Sequence, residues 1–108
     1  MQRFGRVLRI RPGMIEDYER QHEGVWPEVL AEIERQGLHN YTIFRYDHWL
    51  FSWFELPDGV SLEEATAGCM NDEASLRWEE MMQKIQEPLP ESEGNNWWVP
   101  MKEVFHHD

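Results

Sequence analysis

The chain has 108 residues, with 10 Lys and Arg against 21 Asp and Glu, for a formal net charge of −11. That length supports one domain, read as residues 1–108, whose core needs no disulfide or metal staple. So acidic a balance argues against nucleic acid and anionic membrane surfaces as partners, since both are met by basic patches. Arg3 to Ile10 alternate loosely, with Phe4, Leu8 and Ile10 on one side and Arg3 and Arg9 on the other, which predicts a strand. Arg9 also cuts the apolar run Val7-Leu8, so no secretory leader is expected. No apolar stretch approaches the roughly 20 residues of a membrane span. Arg11-Pro12-Gly13 has the chemistry of a turn.

A helical pattern then runs from about Ile15 to Gln36. Its apolar positions are Ile15, Tyr18, Val25 or Trp26, Val29, Leu30 and Ile33, recurring every three or four residues. His22 falls on that stripe one turn after Tyr18, which stacks an imidazole and a phenol along one inward face. Gly24 and Pro27 predict a kink or restart, with Pro27 opening the second segment. Gly37 suits the position just past the helix end.

Leu38 to Tyr46 reads as a second strand. Strict alternation puts His39, Tyr41 and Ile43 on one face and Asn40, Thr42, Phe44 and Tyr46 on the other. Asp47-His48 leads tightly into a third strand, Trp49 to Leu56, which is apolar on both faces. One layer of helices covers only one of those faces, so a second copy of the chain is expected on the other. Pro57-Asp58-Gly59 is a turn, and Ser61-Leu62-Glu63-Glu64 fits a capping box opening a short helix that ends near Gly68. Cys69 is the sole cysteine and reads as packing. It allows no intrachain disulfide and fits a reducing, cytoplasmic compartment. Asn71 or Asp72 caps a further helix with Ala74, Trp78, Met81 and Ile85 on its apolar face, stopped by Pro88 and Pro90. Leu89 to Asn96 reads as a mobile loop, and Trp97 to His106 as a last strand with Pro100 at an edge or bulge. The order β-α-β-β-α-β defines an α+β class, a ferredoxin-like sandwich with a four-stranded antiparallel sheet and helices on one face. Its open sheet face predicts a homodimer.

The sequence lacks the Gly-rich spacings that cradle phosphate. His22, His39, His48, His106 and His107 form no HxH or HxxxH pair, so a metal site has little support, and Cys69 has no neighbouring base. What remains is a polar cluster without a cofactor. Tyr18 and His22 come from the first helix, His39 and Tyr41 from the following strand, and Trp26 and Trp78 could supply flat walls. Imidazole gives and takes a proton near neutral pH, and indole stacks on the C–H face of a sugar ring. A histidine on an apolar face is, taken alone, more often a core residue with one satisfied hydrogen bond. Trp78 is as well explained by packing, and Trp49, Trp53, Trp97 and Trp98 read as core or dimer interface.

Tyr18-Glu-Arg-Gln-His22-Glu-Gly-Val-Trp26-Pro27-Glu28 resembles the signature of the L-rhamnose mutarotase family: a tyrosine, three residues, a histidine, then Trp-Pro-Glu. Gly37-Leu-His39-Asn40-Tyr41-Thr-Ile43 is similar to that family's Gly-x-His-Asn-Tyr-x-Ile segment. Arg77-Trp78 with Met81 resembles its Arg-Trp-Trp motif, and Glu103-Val104-Phe105 its closing Glu-Val-Phe. The resemblance spans the chain in order. It implies a dimeric α+β barrel that interconverts the α and β anomers of L-rhamnose without a cofactor. It implies His22 as the proton donor and Tyr18, Tyr41 and Trp78 as sugar contacts. Where the family has a second adjacent tryptophan this chain has Glu79, a possible polar contact. L-rhamnose is the leading substrate, with L-fucose or another deoxyhexose the alternative. Rival readings are a haem-dependent or cofactor-free oxidase of related fold and a sugar-binding module without catalysis.

Overall fold

The computed structural model describes residues 1–66, 72–94 and 96–108. The first strand, β1 (Gln2–Ile10), runs antiparallel to β3 (Trp49–Leu56), in a register from Gln2 opposite Leu56 to Arg9 opposite Trp49. β3 pairs on its other side with β2 (His39–Tyr46). The remaining edge of β1 is shared by two short strands. β4 (Gln86–Glu87) takes Arg9 and Ile10, and β5 (Val99–Met101) takes Gly5 to Val7. The sheet order is therefore β2-β3-β1 with β4 and β5 dividing the fourth position, which is the expected ferredoxin-like α+β arrangement.

The first helical pattern is broken where expected. α1 (Ile15–His22) and α2 (Pro27–Arg35) are separate, and Pro27 opens α2 because its missing N–H is one that a first turn leaves unbonded anyway. Ser61 receives the Glu64 N–H at 3.0 Å and starts α3 (Leu62–Thr66). Asp72 accepts from the Ser75 N–H at 2.9 Å and caps α4 (Glu73–Ile85). Cys69, Asn71 and the expected helix end at Gly68 lie outside the described residues.

All the helices serve one sheet face. Leu8, Ile10 and Leu50 form a core with Tyr18 of α1, Val29 of α2, and Trp78, Met82 and Ile85 of α4. Phe54 and Leu56 form a second cluster with Ala65 of α3. The opposite sheet face has no helix. Phe44 and Tyr46 stand 61% and 76% exposed there, beside half-buried Trp49, Phe51 and Trp53.

The C-terminal strand departs from expectation. α4 stops at Ile85, before either proline, and the chain turns straight into β4. β4 occupies the Arg9–Ile10 end of the β1 edge, so β5 starts only at Val99, opposite Val7, and the strand expected over residues 97–106 is reduced to Val99–Met101. The loop before it is tied down rather than free. Ser92 Oγ receives the Leu89 N–H at 2.9 Å and donates to the Trp97 carbonyl at 2.6 Å.

A bulge in β2 changes which residues face the helices. His39 lies opposite Glu55 but Thr42 lies opposite Trp53, so β2 carries one extra residue, and Asn40 adopts φ 55°. One inserted residue reverses the faces upstream of it. His39 therefore shares the helix-free face with Thr42 and Phe44, while Tyr41 stacks on Phe54 beneath the helices at 5.9 Å. The expectation that His39 and Tyr41 share a face is corrected: strict alternation does not anticipate a bulge.

Candidate active site

The break between α1 and α2 leaves His22 as the last residue of α1, above the sheet and facing α4. The Tyr18 and His22 rings stack at 4.1 Å, and the His22 ring meets Trp78 edge-on at 5.4 Å. His22 Nδ1 lies 2.9 Å from the Tyr18 carbonyl oxygen. A carbonyl only accepts, so Nδ1 carries the proton, and Nε2 is left as the basic atom of the neutral ring. Burial lowers the His22 pKa below its ordinary value, partly offset by that hydrogen bond.

Tyr18, His22, Tyr41, Trp78 and Glu79 line one cavity of about 1140 Å³ between helices and sheet. A smaller cavity of about 420 Å³, lined also by Glu19, Ile43 and Arg45, shares Tyr18 and His22 with it. The structure thus brings the phenols, the imidazole and one indole together. Trp26 packs edge-on against Trp78 at 5.2 Å, behind the cavity wall rather than in it. His39, exposed on the other sheet face, is not part of the cavity.

Two buried hydroxyls on the cavity wall, those of Tyr18 and Ser75, have no hydrogen-bond partner among the described residues. Buried polar groups nearly always have one. Burial, and secondarily the nearby Tyr41, pushes the Tyr18 phenol well above its ordinary pKa, so it stays protonated and can donate. The two hydroxyls suit a hydroxyl-rich ligand.

Sequence reasoning missed Arg6 and placed Trp98 elsewhere. Arg6 is only 7% exposed, lines the cavity and donates to Ser52 Oγ at 3.3 Å and to Tyr41 Oη at 3.2 Å. Its guanidinium lies 4.8 Å from the Phe54 ring centre and 5.4 Å from that of Trp98, which also lines the cavity. The available signal was phase: Arg6 alternates with Phe4 and Leu8, so a charge occupies a core-facing strand position. Glu79 has its pKa raised by burial, moderated by a hydrogen bond with Gln83 and by the charge of Arg6. Among the described residues no group of three or more His, Cys, Asp or Glu could hold a metal ion, and no helix is long and apolar enough to cross a membrane.

Fold and site together define a class: a ferredoxin-like α+β domain with an imidazole–phenol–indole pocket between its helices and its sheet. A family model described as L-rhamnose mutarotase matches residues 3–107. The chain belongs to the L-rhamnose mutarotase family. An L-rhamnose mutarotase of Oceanobacillus iheyensis is 29% identical over 110 residues, and one of Lactiplantibacillus plantarum 30% over 112, each alignment covering all of both chains. The crystal structure of an L-rhamnose mutarotase from Formosa agariphila superposes with a TM-score of 0.76 at 22% identity over the full length of both chains, a likeness of fold.

Proposed function

We propose that this protein, acting in the cytoplasm as a single domain and a homodimer, interconverts the α and β anomers of L-rhamnose. The observation that carries the reading is the fixed tautomer of His22 in a cavity lined by two phenols and an indole. Mutarotation moves one proton between two oxygens bound to the same carbon. Neutral His22 takes the O1 proton on Nε2. The C1–O5 bond then breaks as the imidazolium returns that proton to O5, leaving an open-chain aldehyde. C1 rotates, and the reverse sequence closes the ring on the other face. His22 therefore acts first as base at O1 and then as donor at O5. The Tyr18 hydroxyl donates to the oxygen on which charge develops, and Trp78 offers a flat surface to the ring.

Acid–base assistance of this kind contributes roughly 10²- to 10⁴-fold, enough over a reaction that water already performs slowly. Saturation-transfer NMR of L-rhamnose tests the reading. Native protein is expected to accelerate anomer exchange, and folded His22→Ala to lose roughly 10²- to 10⁴-fold of that acceleration. Undiminished exchange by a folded His22→Ala protein would return His22 to a packing role.

A further inference from the structure

The mechanism leaves Arg6 and Glu79 unused, although both line the cavity beside its catalytic groups. Arg6 comes from the middle of β1, opposite Ser52 of β3, and its side chain is nearly closed off from solvent. A buried guanidinium needs hydrogen bonds and a counter-charge. Ser52 and Tyr41 accept from it, the Phe54 and Trp98 rings flank it, and Glu79 is the carboxylate of the same cavity that its charge reaches. Glu79 follows Trp78 on α4, so the cavity has an indole and a carboxylate side by side. A carboxylate has about four lone-pair sites on its two oxygens, so beside the bond with Gln83 Glu79 still accepts from a pair of adjacent sugar hydroxyls.

We propose that Arg6 and Glu79 form a hydroxyl-reading corner of the sugar pocket: Glu79 accepts from two neighbouring ring hydroxyls, and Arg6 holds the Tyr41 hydroxyl in place. Glu79 is then a substrate-binding residue, and Arg6 a positioning residue acting through Tyr41. The corner makes recognition depend on ring hydroxyls rather than on stacking alone. The inference rests on the reading of the cavity as a sugar site.

The test uses two readouts, protein-detected NMR titration for Kd and saturation transfer for kcat and KM. L-rhamnose is compared with its 2-deoxy, 3-deoxy and 4-deoxy analogues. For L-rhamnose, Glu79→Leu is expected to raise Kd and KM roughly tenfold to a hundredfold, the scale of hydrogen bonds to a charged group, with kcat falling less than KM rises. Two deoxy analogues that bind poorly to native protein should show no further loss in Glu79→Leu. Arg6→Met should raise KM as well, and the double variant should be no worse than the poorer single one, because both remove the same corner. Should Arg6→Met fail to fold, Glu79→Leu with the deoxy sugars still decides. A Glu79→Leu Kd within about twofold of native, or equal penalties for every deoxy sugar in both proteins, would sink the proposal while leaving the mutarotase reading intact. Glu79-dependent binding without anomer exchange would leave the corner standing and remove the mutarotase reading. Neither binding nor exchange of L-rhamnose would overturn both.

Discussion

The Nδ1–H of His22 donates to the Tyr18 carbonyl, so in the neutral ring Nε2 is the free basic atom, the one the proposed mechanism uses. Because burial lowers its pKa, the neutral ring persists below the ordinary imidazole value of 6.5. Raising the pH through the His22 pKa creates the base, so enzyme-catalysed exchange should rise with pH and level off. The midpoint should lie below 6.5, measured as kcat/KM after subtracting spontaneous mutarotation; a midpoint above it contradicts the assignment. Tyr18 gives a second residue-scale prediction. Its buried hydroxyl has no partner to lose among the described residues, and a buried hydroxyl left unbonded carries a desolvation penalty. Tyr18→Phe should therefore stabilise the unliganded protein by about 1 kcal/mol in chemical unfolding. The same change should slow anomer exchange roughly tenfold, the scale of one lost hydrogen bond. A variant that is both less stable and fully active would show the phenol oxygen to be structural.

At the scale of elements, the parts governed by local chemistry were legible. Gly24 and Pro27 mark the break between α1 and α2, and Ser61 and Asp72 cap α3 and α4 where their side chains predict. Tyr18 and His22 were legible as a stacked pair because four residues make one helical turn. What depended on pairing between distant segments was not. The two-residue β4 has no periodicity to detect, and it takes the Arg9–Ile10 end of the β1 edge from the last strand. The bulge at Asn40 moved His39 out of the site. Arg6 was hidden for a similar reason: what it bonds, Ser52 and Tyr41, comes from two other strands. The bulge is testable. Asn40 holds φ 55° and donates to Glu55 Oε1 at 2.7 Å, and a β-branched residue tolerates that backbone poorly. Asn40→Val should cost about 1–2 kcal/mol in chemical denaturation. It should also raise KM, because the bulge sets the position of Tyr41 over Phe54. Unchanged stability would mean that β2 reaches the same register without it.

Across the whole molecule, the two sheet faces divide the work. The helix side holds the cavity, with Tyr18, His22, Tyr41, Trp78 and Glu79 drawn from one chain. The other side presents Phe44, Tyr46, Trp49, Phe51 and Trp53 with Met101 from β5, a contiguous apolar surface of the kind that marks a protein interface. A net charge of −11 opposes self-association, but the charges bordering this face are mixed. Arg3 pairs with Glu103 at 3.0 Å, and Arg9 lies over Trp49 at 4.6 Å and 3.9 Å from Glu87. Two copies meeting through this face would bury it about a two-fold axis. Trp53 lies opposite Gly5 and Thr42 on that face, away from the cavity. Placing a charge there should disrupt association without touching the chemistry. Trp53→Glu is expected to sediment as a single copy where native protein sediments as two, with circular dichroism unchanged. Its anomer exchange per protomer should stay close to native. Loss of exchange on dissociation, with the fold intact, would show that the partner completes the site; a native protein that sediments as one copy would remove the dimer.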